Sequence, residues 1–204
     1  MNQLKAIARR SMVERGLLPD FSSEAVKEAS AFTETKPTPD SGVRDLRDRL
    51  WASIDNDTSR DLDQLSVAES MEGGAVRVLV AIADVDALLK RHTAIDDHAE
   101  KNTTSVYTAA GIFPMLPERL STDLTSLGQG QDRLAIVMDM VVEPGGALRS
   151  SDVYRALVRS RAKLAYNALA AWLDGSARAP AALMAVKGLD EQIQIQPFDP
   201  LQVH

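Results

Sequence analysis

Ser53-Ile54-Asp55-Asn56-Asp57-Thr58-Ser59-Arg60-Asp61-Leu62-Asp63-Gln64 puts four aspartates within nine positions, shortly before the apolar run Ala75–Ala83 (AVRVLVAIA). Asp61 and Asp63, two apart, fall on one side of an extended segment. Asp55 meets them if the intervening residues loop back. Clustered carboxylates repel one another and raise each other's pKa unless a cation neutralises them. Oxygen-only ligands select hard ions such as Mg²⁺, Mn²⁺ or Ca²⁺. An EF-hand loop needs glycine at its sixth position and an acid at its twelfth. Counted from Asp55 these are Arg60 and Ser66, and both fail. An aspartyl-phosphate phosphatase also opens on D-x-D, but after a strong apolar strand, and RDRLWASI is only weakly one. A Mg²⁺ site for phosphodiester hydrolysis holds one or two ions on several carboxylates. An Asp-rich turn without metal remains the alternative.

Outward from the loop, hydrophobic patterning gives a mixed α and β chain. Ala75–Ala83 is nearly continuous and apolar, which predicts a strand covered on both faces. Leu134–Val142 (LAIVMDMVV) is a second apolar strand, Glu143–Ala147 (EPGGA) is turn chemistry, and Arg149–Arg159 alternates with Tyr154, Ala156 and Val158 on one face. Strand, Pro-Gly-Gly turn and strand predict a β-hairpin. Helices are expected over a lead carrying Leu4, Ile7, Ala8 and Met12 and ending near Gly16, over Ser23–Ala31 with Ser22 or Ser23 as cap, and over Ala94–Lys101. Two more are expected, over 164–174 with Gly175 as the stop and from Pro180 to Gln196. The run TETKPTPDSG has no apolar residue and reads as a linker. Met138 and Met140 read as core filler, and Asp84 as a capping or hydrogen-bonding residue at a strand end.

The 204 residues are 45% hydrophobic and 25% charged, with no cysteine and three histidines. That excludes disulfides, thiolate metal sites and cysteine nucleophiles, and fits a reducing compartment. The N-terminus lacks the apolar core of a signal peptide, and no stretch reaches the roughly 18 apolar residues of a membrane span. A cytoplasmic location with no membrane partner is therefore expected. The net charge of −6 argues against a simple phosphate-backbone binder. Charge is uneven, however. Residues 45–64 hold six aspartates against three arginines, whereas 149–163 hold Arg149, Arg155, Arg159, Arg161 and Lys163 against Asp152. An acidic loop and a basic strand suit a metal beside an anionic substrate; on charge alone, two solvated faces are the simpler reading.

The loop resembles the signature of the ribonuclease II / ribonuclease R family, the RNB-type catalytic domain, which shows T/S-I-D and, five residues later, D-x-D-D. Other stretches are similar to that family in the same order. They are Val80-Ala81-Ile82-Ala83-Asp84-Val85, Thr104-Ser105-Val106-Tyr107, Pro114-Met115-Leu116-Pro117-Glu118-Arg119-Leu120-Ser121, Asp132-Arg133-Leu134-Ala135 and Arg159-Ser160-Arg161-Ala162-Lys163-Leu164-Ala165-Tyr166. The resemblance implies an α+β fold: a mixed sheet with an antiparallel hairpin and flanking helices. It implies a 3′→5′ hydrolytic exoribonuclease that takes single-stranded RNA to a Mg²⁺ site, with Mn²⁺ as a substitute, and releases nucleoside 5′-monophosphates. Asp55, Asp61 and Asp63 match the family's first three catalytic aspartates. The fourth position is Gln64, a neutral oxygen donor with less charge, and Asp57 is an extra acid. Tyr107 is expected to stack on a base and Tyr166 to lie near the ribose, each with a packed tyrosine as the alternative. Arg159, Arg161 and Lys163 are candidates for phosphate contacts.

The resemblance covers about residues 44–170. The family's later arginine motif, of the type S-P-x-R-R-Y-x-D, does not occur in these 204 residues. The expected organisation is a helical lead and linker (1–43), the first part of an RNB-type domain (44–196) and an unrelated tail (197–204). An incomplete domain leaves apolar surface, so a protein partner covering it is expected. The alternative function is a catalytically silent fragment that binds RNA or protein.

Overall fold

The computed structural model describes residues 3–33 and 42–195. The heart of the expected linker (34–41), the end of the last expected helix (Gln196) and the tail (197–204) lie outside them. The described residues form two compact units, one of residues 3–33 with 85–124, the other of 42–84 with 125–195.

The larger unit is built on a seven-stranded sheet. Its strands are β1 (Arg44–Asp45), β2 (Ala52–Asp55), β3 (Gln64–Ser70), β4 (Val76–Ala83), β7 (Asp132–Val142), β8 (Leu148–Arg159) and β9 (Ala162–Ala165). The spatial order is β1-β8-β7-β4-β3-β2-β9. Two hairpins generate its antiparallel centre. Glu72-Gly73-Gly74 joins β3 to β4 and residues 143–147 join β7 to β8. Gly146 adopts φ +82, a left-handed conformation that a Cβ would strain, and this closes the second hairpin. Both edges are parallel, β1 on β8 and β2 on β9.

Strand alternation sends one set of side chains to each face. Trp51, Leu65, Val67, Leu79, Ala81, Ala135, Val137, Ala156 and Val158 make the core on one face, with Leu127. The Trp51 indole N–H is satisfied by the Leu46 carbonyl at 2.7 Å. On the opposite face Ala52, Ala162 and Leu164 are covered by Leu169, Leu183, Leu189 and Ile193. These come from α4 (Tyr166–Leu173), α5 (Ala181–Met184) and α6 (Leu189–Ile195).

Three expectations are corrected. Val76–Ala83 is covered on one face only: Leu79 and Ala81 are buried, but Ile82 is 38% exposed, and Met138 across the sheet is 42% exposed rather than core. The reason is that the helices of this unit cover the β2–β9 end of that face. The helix expected from residue 164 starts at Tyr166, because Leu164 and Ala165 pair with Ile54 and Asp55. The helix expected over 181–196 is two short ones, separated at Gly188 with φ +80.

The smaller unit holds α1 (Gln3–Glu14), α2 (Ser23–Ala31), α3 (Ala94–Asn102), the two-stranded pair β5 (Val106–Thr108) and β6 (Gly111–Phe113), and a π-helical turn over Arg119–Leu124. Ser22 caps α2 by accepting the Ala25 N–H at 3.1 Å. Ala25, Ala29, Ile95, Leu116, Leu120 and Leu124 are its core. His98 is buried, stacks near Phe21 and contacts the Asn102 amide nitrogen at 3.0 Å; Asn102 in turn ties down both backbone groups of Leu18. Among the described residues no helix is long and apolar enough to cross a membrane.

Burial holds the His98 imidazole below its ordinary value of 6.5, against the Pro114 carbonyl and Asp20, which pull it up. A depressed histidine binds its proton more readily in the unfolded chain. Its contribution to stability is therefore full above about pH 6.5 and is lost as pH falls below that value. We expect the melting temperature to drop between pH 7 and 5 and the His98 proton resonance to titrate below 6.5. Titration above 6.5 would refute the burial argument.

Candidate functional site

The aspartate loop is fixed by the register of β2. This strand runs parallel to β9, with Ser53 beside Lys163 and Asp55 beside Ala165. On its other side it is antiparallel to β3, with Ala52 opposite Ser66. Asp55 ends β2 and Asp63 directly precedes β3, so the antiparallel pairing leaves both at the same end of the two strands. The segment leading into β3 alternates, with Asp61 and Asp63 exposed and Leu62 buried between them. Four hydrogen bonds pin it. The Leu62 N–H donates to Ser126 Oγ (3.2 Å), the Leu127 N–H to the Leu62 carbonyl (2.7 Å), the Ala83 N–H to the Asp63 carbonyl (2.9 Å) and the Ser126 hydroxyl to the Arg60 carbonyl (3.1 Å). The extended alternation expected from sequence is thus held by backbone contacts on the Leu62 side.

The Asp63 carboxyl feels both of its acidic neighbours. Partial burial raises the Asp63 carboxyl above its usual range, and the charges of Asp61 and Asp55 raise it further; a backbone hydrogen bond opposes them. Tyr166 opens α4 directly after Ala165. Its phenol is pushed up by burial and then by Asp55 and Asp63. Asp55, Asp63 and Tyr166 therefore share one electrostatic environment. Asp55 also accepts the Asn56 N–H at 2.6 Å. The donor set is all oxygen and concentrates negative charge, which fits a hard divalent cation and no softer metal. The residues that fit are Asp55, Asp61 and Asp63. Gln64 opens β3 opposite Ile82, and consecutive residues of an extended segment project to opposite sides, so Gln64 does not share the face of Asp63.

Among the described residues, His92, Asp96 and Asp97 are the group whose ligand atoms lie within 4.8 Å of one another. They are largely exposed and sit around the start of α3. Asp55, Asp61 and Asp63 stand wider than that spacing, as three like charges are expected to.

The basic strand is occupied by the protein itself. Arg159 grips Asp132 with two nitrogens, at 2.5 and 3.0 Å, and Asp132 also accepts from Arg47 at 3.0 Å. Arg161 donates to the carbonyls of Arg47 (2.5 Å) and Arg49 (3.4 Å). Asp45, Arg47, Asp48, Arg159 and Arg161 line an open surface cavity of about 570 Å³. Lys163 donates to the carbonyls of Asp57 (2.8 Å) and Ser59 (2.7 Å). Asp84, 5% exposed, pairs with Arg155 at 2.5 Å and so has the bonding role expected of it. Tyr107 lies on β5 in the smaller unit and is 65% exposed. Ser126 and the loop contacts of Lys163 were not legible in the sequence, because both depend on long-range register.

Comparison with known proteins supplies relatives for this geometry. Residues 43–197 match the family model described as the RNB domain. Ribonuclease R of Thermotoga maritima is 32% identical over 169 residues, 82% of this chain and 23% of the relative. Ribonuclease R of Escherichia coli is 37% identical over 152 residues, 74% and 19% respectively. The chain thus spans about a quarter of the length of the first of these relatives and about a fifth of the second. Among solved structures, Mycoplasma genitalium RNase R in complex with ribose-methylated single-stranded RNA superposes with a TM-score of 0.78 at 25% identity. That match covers 96% of this chain and 32% of the other. The same enzyme in complex with double-stranded RNA matches with a TM-score of 0.78.

A carboxyl with a raised pKa destabilises the folded state once it ionises. The stability linked to Asp63 is full below about pH 3.8, its unperturbed value, and is lost as pH rises through the raised one. We expect Asp63→Asn to raise the melting temperature of the metal-free chain at pH 8 and to leave it unchanged at pH 3. A lower melting temperature at pH 8 would show that the Asp63 carboxylate is a net stabiliser.

Proposed function

The chain belongs to the RNB domain family, and from that premise we propose that it carries the metal site of a ribonuclease R-type exoribonuclease. The reaction of this reading is 3′→5′ hydrolysis of single-stranded RNA to nucleoside 5′-monophosphates. The observation that supports it best is that Asp55 and Asp61 both bear electrostatically on the Asp63 carboxyl, near the end shared by β2 and β3. Residues 44–196 form the catalytic part, with 1–43 as a lead and 197–204 outside it. The location is the cytoplasm, in keeping with a chain that has no cysteine.

Asp55, Asp61 and Asp63 would hold Mg²⁺, or Mn²⁺ in its place, and Gln64, on the other side of the strand, would stay outside the ligand set. When bound, the ion supplies an activated water and charge at the leaving oxygen. The protein's own part is orientation. Asp61 and Asp63 are fixed through the backbone contacts of Leu62, so their carboxylates need little reordering. Tyr166, 40% exposed beside Asp55 and Asp63, presents its ring and hydroxyl where the terminal ribose would lie. Tyr107 offers an exposed ring for a base to stack on. Arg159 and Arg161 each keep a terminal nitrogen beyond their contacts within the protein, and through these the strand would add only weak contacts to RNA phosphates.

A second reading, a catalytically silent module binding RNA or protein, is favoured by two observations. Gln64 stands where the family has a fourth acid, and Ile82, Met138 and Val153 leave an apolar stretch on the β4–β7–β8 face, Val153 being 64% exposed. A protein partner covering that stretch belongs to this reading.

The deciding experiment incubates the 204-residue chain with 5′-labelled single-stranded RNA and Mg²⁺ or Mn²⁺. The exoribonuclease reading expects a shortening ladder, abolished by Asp63→Asn and by EDTA. Retained binding with no shortening under either metal would favour the silent module. A ladder that survives Asp63→Asn would remove the aspartate site from the mechanism.

A further inference from the structure

Lys163 does something for this unit that phosphate binding does not explain. It lies on β9 beside Ser53 of β2, two residues before Ala165 pairs with Asp55. Its half-buried side chain does not extend into solvent. The ammonium donates at once to the carbonyls of Asp57 and Ser59, at 2.8 and 2.7 Å. Both carbonyls belong to the loop joining Asp55, at the end of β2, to Asp61. Within that loop the Ser59 N–H reaches back to the Asn56 carbonyl at 3.1 Å. Lys163 binds the two carbonyls that flank Thr58, so one side chain fixes the crown of the loop against β9. The far end of the loop is fixed independently, by Ser126 on the Arg60 carbonyl.

The consequence concerns the spacing of the carboxylates. Asp55 is placed by the sheet and Asp61 by the Leu62 contacts, but the path between them is free of strand pairing. An ammonium with three donors can close that path. It also brings a positive charge to a segment carrying four aspartates, which lowers the repulsion that would open it.

We infer that Lys163 is the positioning residue of the aspartate site, a clasp that holds the 56–60 loop so that Asp55 stays in reach of Asp61 and Asp63. This rests on the metal-site reading of the loop. Partners that orient metal ligands without touching the metal typically change affinity by about 10–100-fold when removed. A lysine that only met RNA phosphates would leave metal affinity untouched and weaken RNA binding in a salt-dependent way.

The test uses the 204-residue chain with Lys163→Met, which keeps the apolar stem, and Lys163→Arg, which keeps charge and donors. Two readouts are taken without RNA: amide hydrogen exchange of residues 56–61 in EDTA, and Mn²⁺ affinity by calorimetry. The expected result is faster exchange in the loop and a roughly 10–100-fold loss of Mn²⁺ affinity for Lys163→Met, with Lys163→Arg close to the parent in both. Unchanged exchange in Lys163→Met overturns the clasp. Faster exchange with unchanged Mn²⁺ affinity overturns the positioning role. If the parent chain binds no Mn²⁺ and Asp63→Asn behaves identically, the metal reading falls, while the exchange data still decide the clasp. Should Lys163→Met fail to fold, Lys163→Gln, with one donor arm and no charge, is read in the same way.

Discussion

Antiparallel pairing of β2 with β3 leaves Asp55 and Asp63 at the same end of the two strands, within electrostatic reach of each other. Like charges brought close on neighbouring strands are destabilising. Neither strand is free to slip. A shift of one residue in β2 would move Trp51 out of the core and Ala52 off the helix-covered face, because the side-chain period is two. The hydrophobic pattern of a four-residue strand therefore imposes the juxtaposition of two carboxylates. Burial of Trp51, a residue type whose loss from a core costs about 3–5 kcal/mol, helps offset the local repulsion.

The same logic extends to the edges of the site. β9 is parallel to β2, so Ala165 ends level with Asp55 and the chain turns into α4 at once, which brings Tyr166 to the carboxylates. On the other side, β4 carries Ala83 to the Asp63 carbonyl and then Asp84, whose carboxylate is buried against Arg155. Removing Arg155, itself half-exposed, would leave the buried Asp84 carboxylate without its ion-pair partner.

How far the sequence revealed this depended on the range of the interactions. Local signals were sufficient for the Ser22 cap, the 143–147 turn and the alternation of Tyr154, Ala156 and Val158. The side-by-side placement of Asp61 and Asp63 follows from a period of two and needed no tertiary knowledge. Leu164 and Ala165 read as helix because their neighbours Leu169 and Leu173 are helical; pairing with Ile54 and Asp55 overrides that preference, and no local pattern announces a parallel partner more than 100 residues away. Met138 read as core because an apolar run does not say which face will be covered. Ser126 carries no local signal of its contacts, since they are created by the approach of Leu62.

Charge shows the same limit in sharper form. The run 149–163 reads as a cationic strand awaiting phosphates, yet every base in it has a partner in the protein. Arg149 meets Glu143, Arg155 meets Asp84, Arg159 meets Asp132, and Arg161 and Lys163 bond backbone carbonyls. Counting formal charge therefore overstates what RNA can use. Phosphate contacts release counterions only where the cation is free to exchange one ion for another, and an arginine already paired with a carboxylate has little condensed anion to release. The bases of this run are thus committed to the protein's own carboxylates and carbonyls, and Lys163 among them spans two carbonyls of the loop between Asp55 and Asp61.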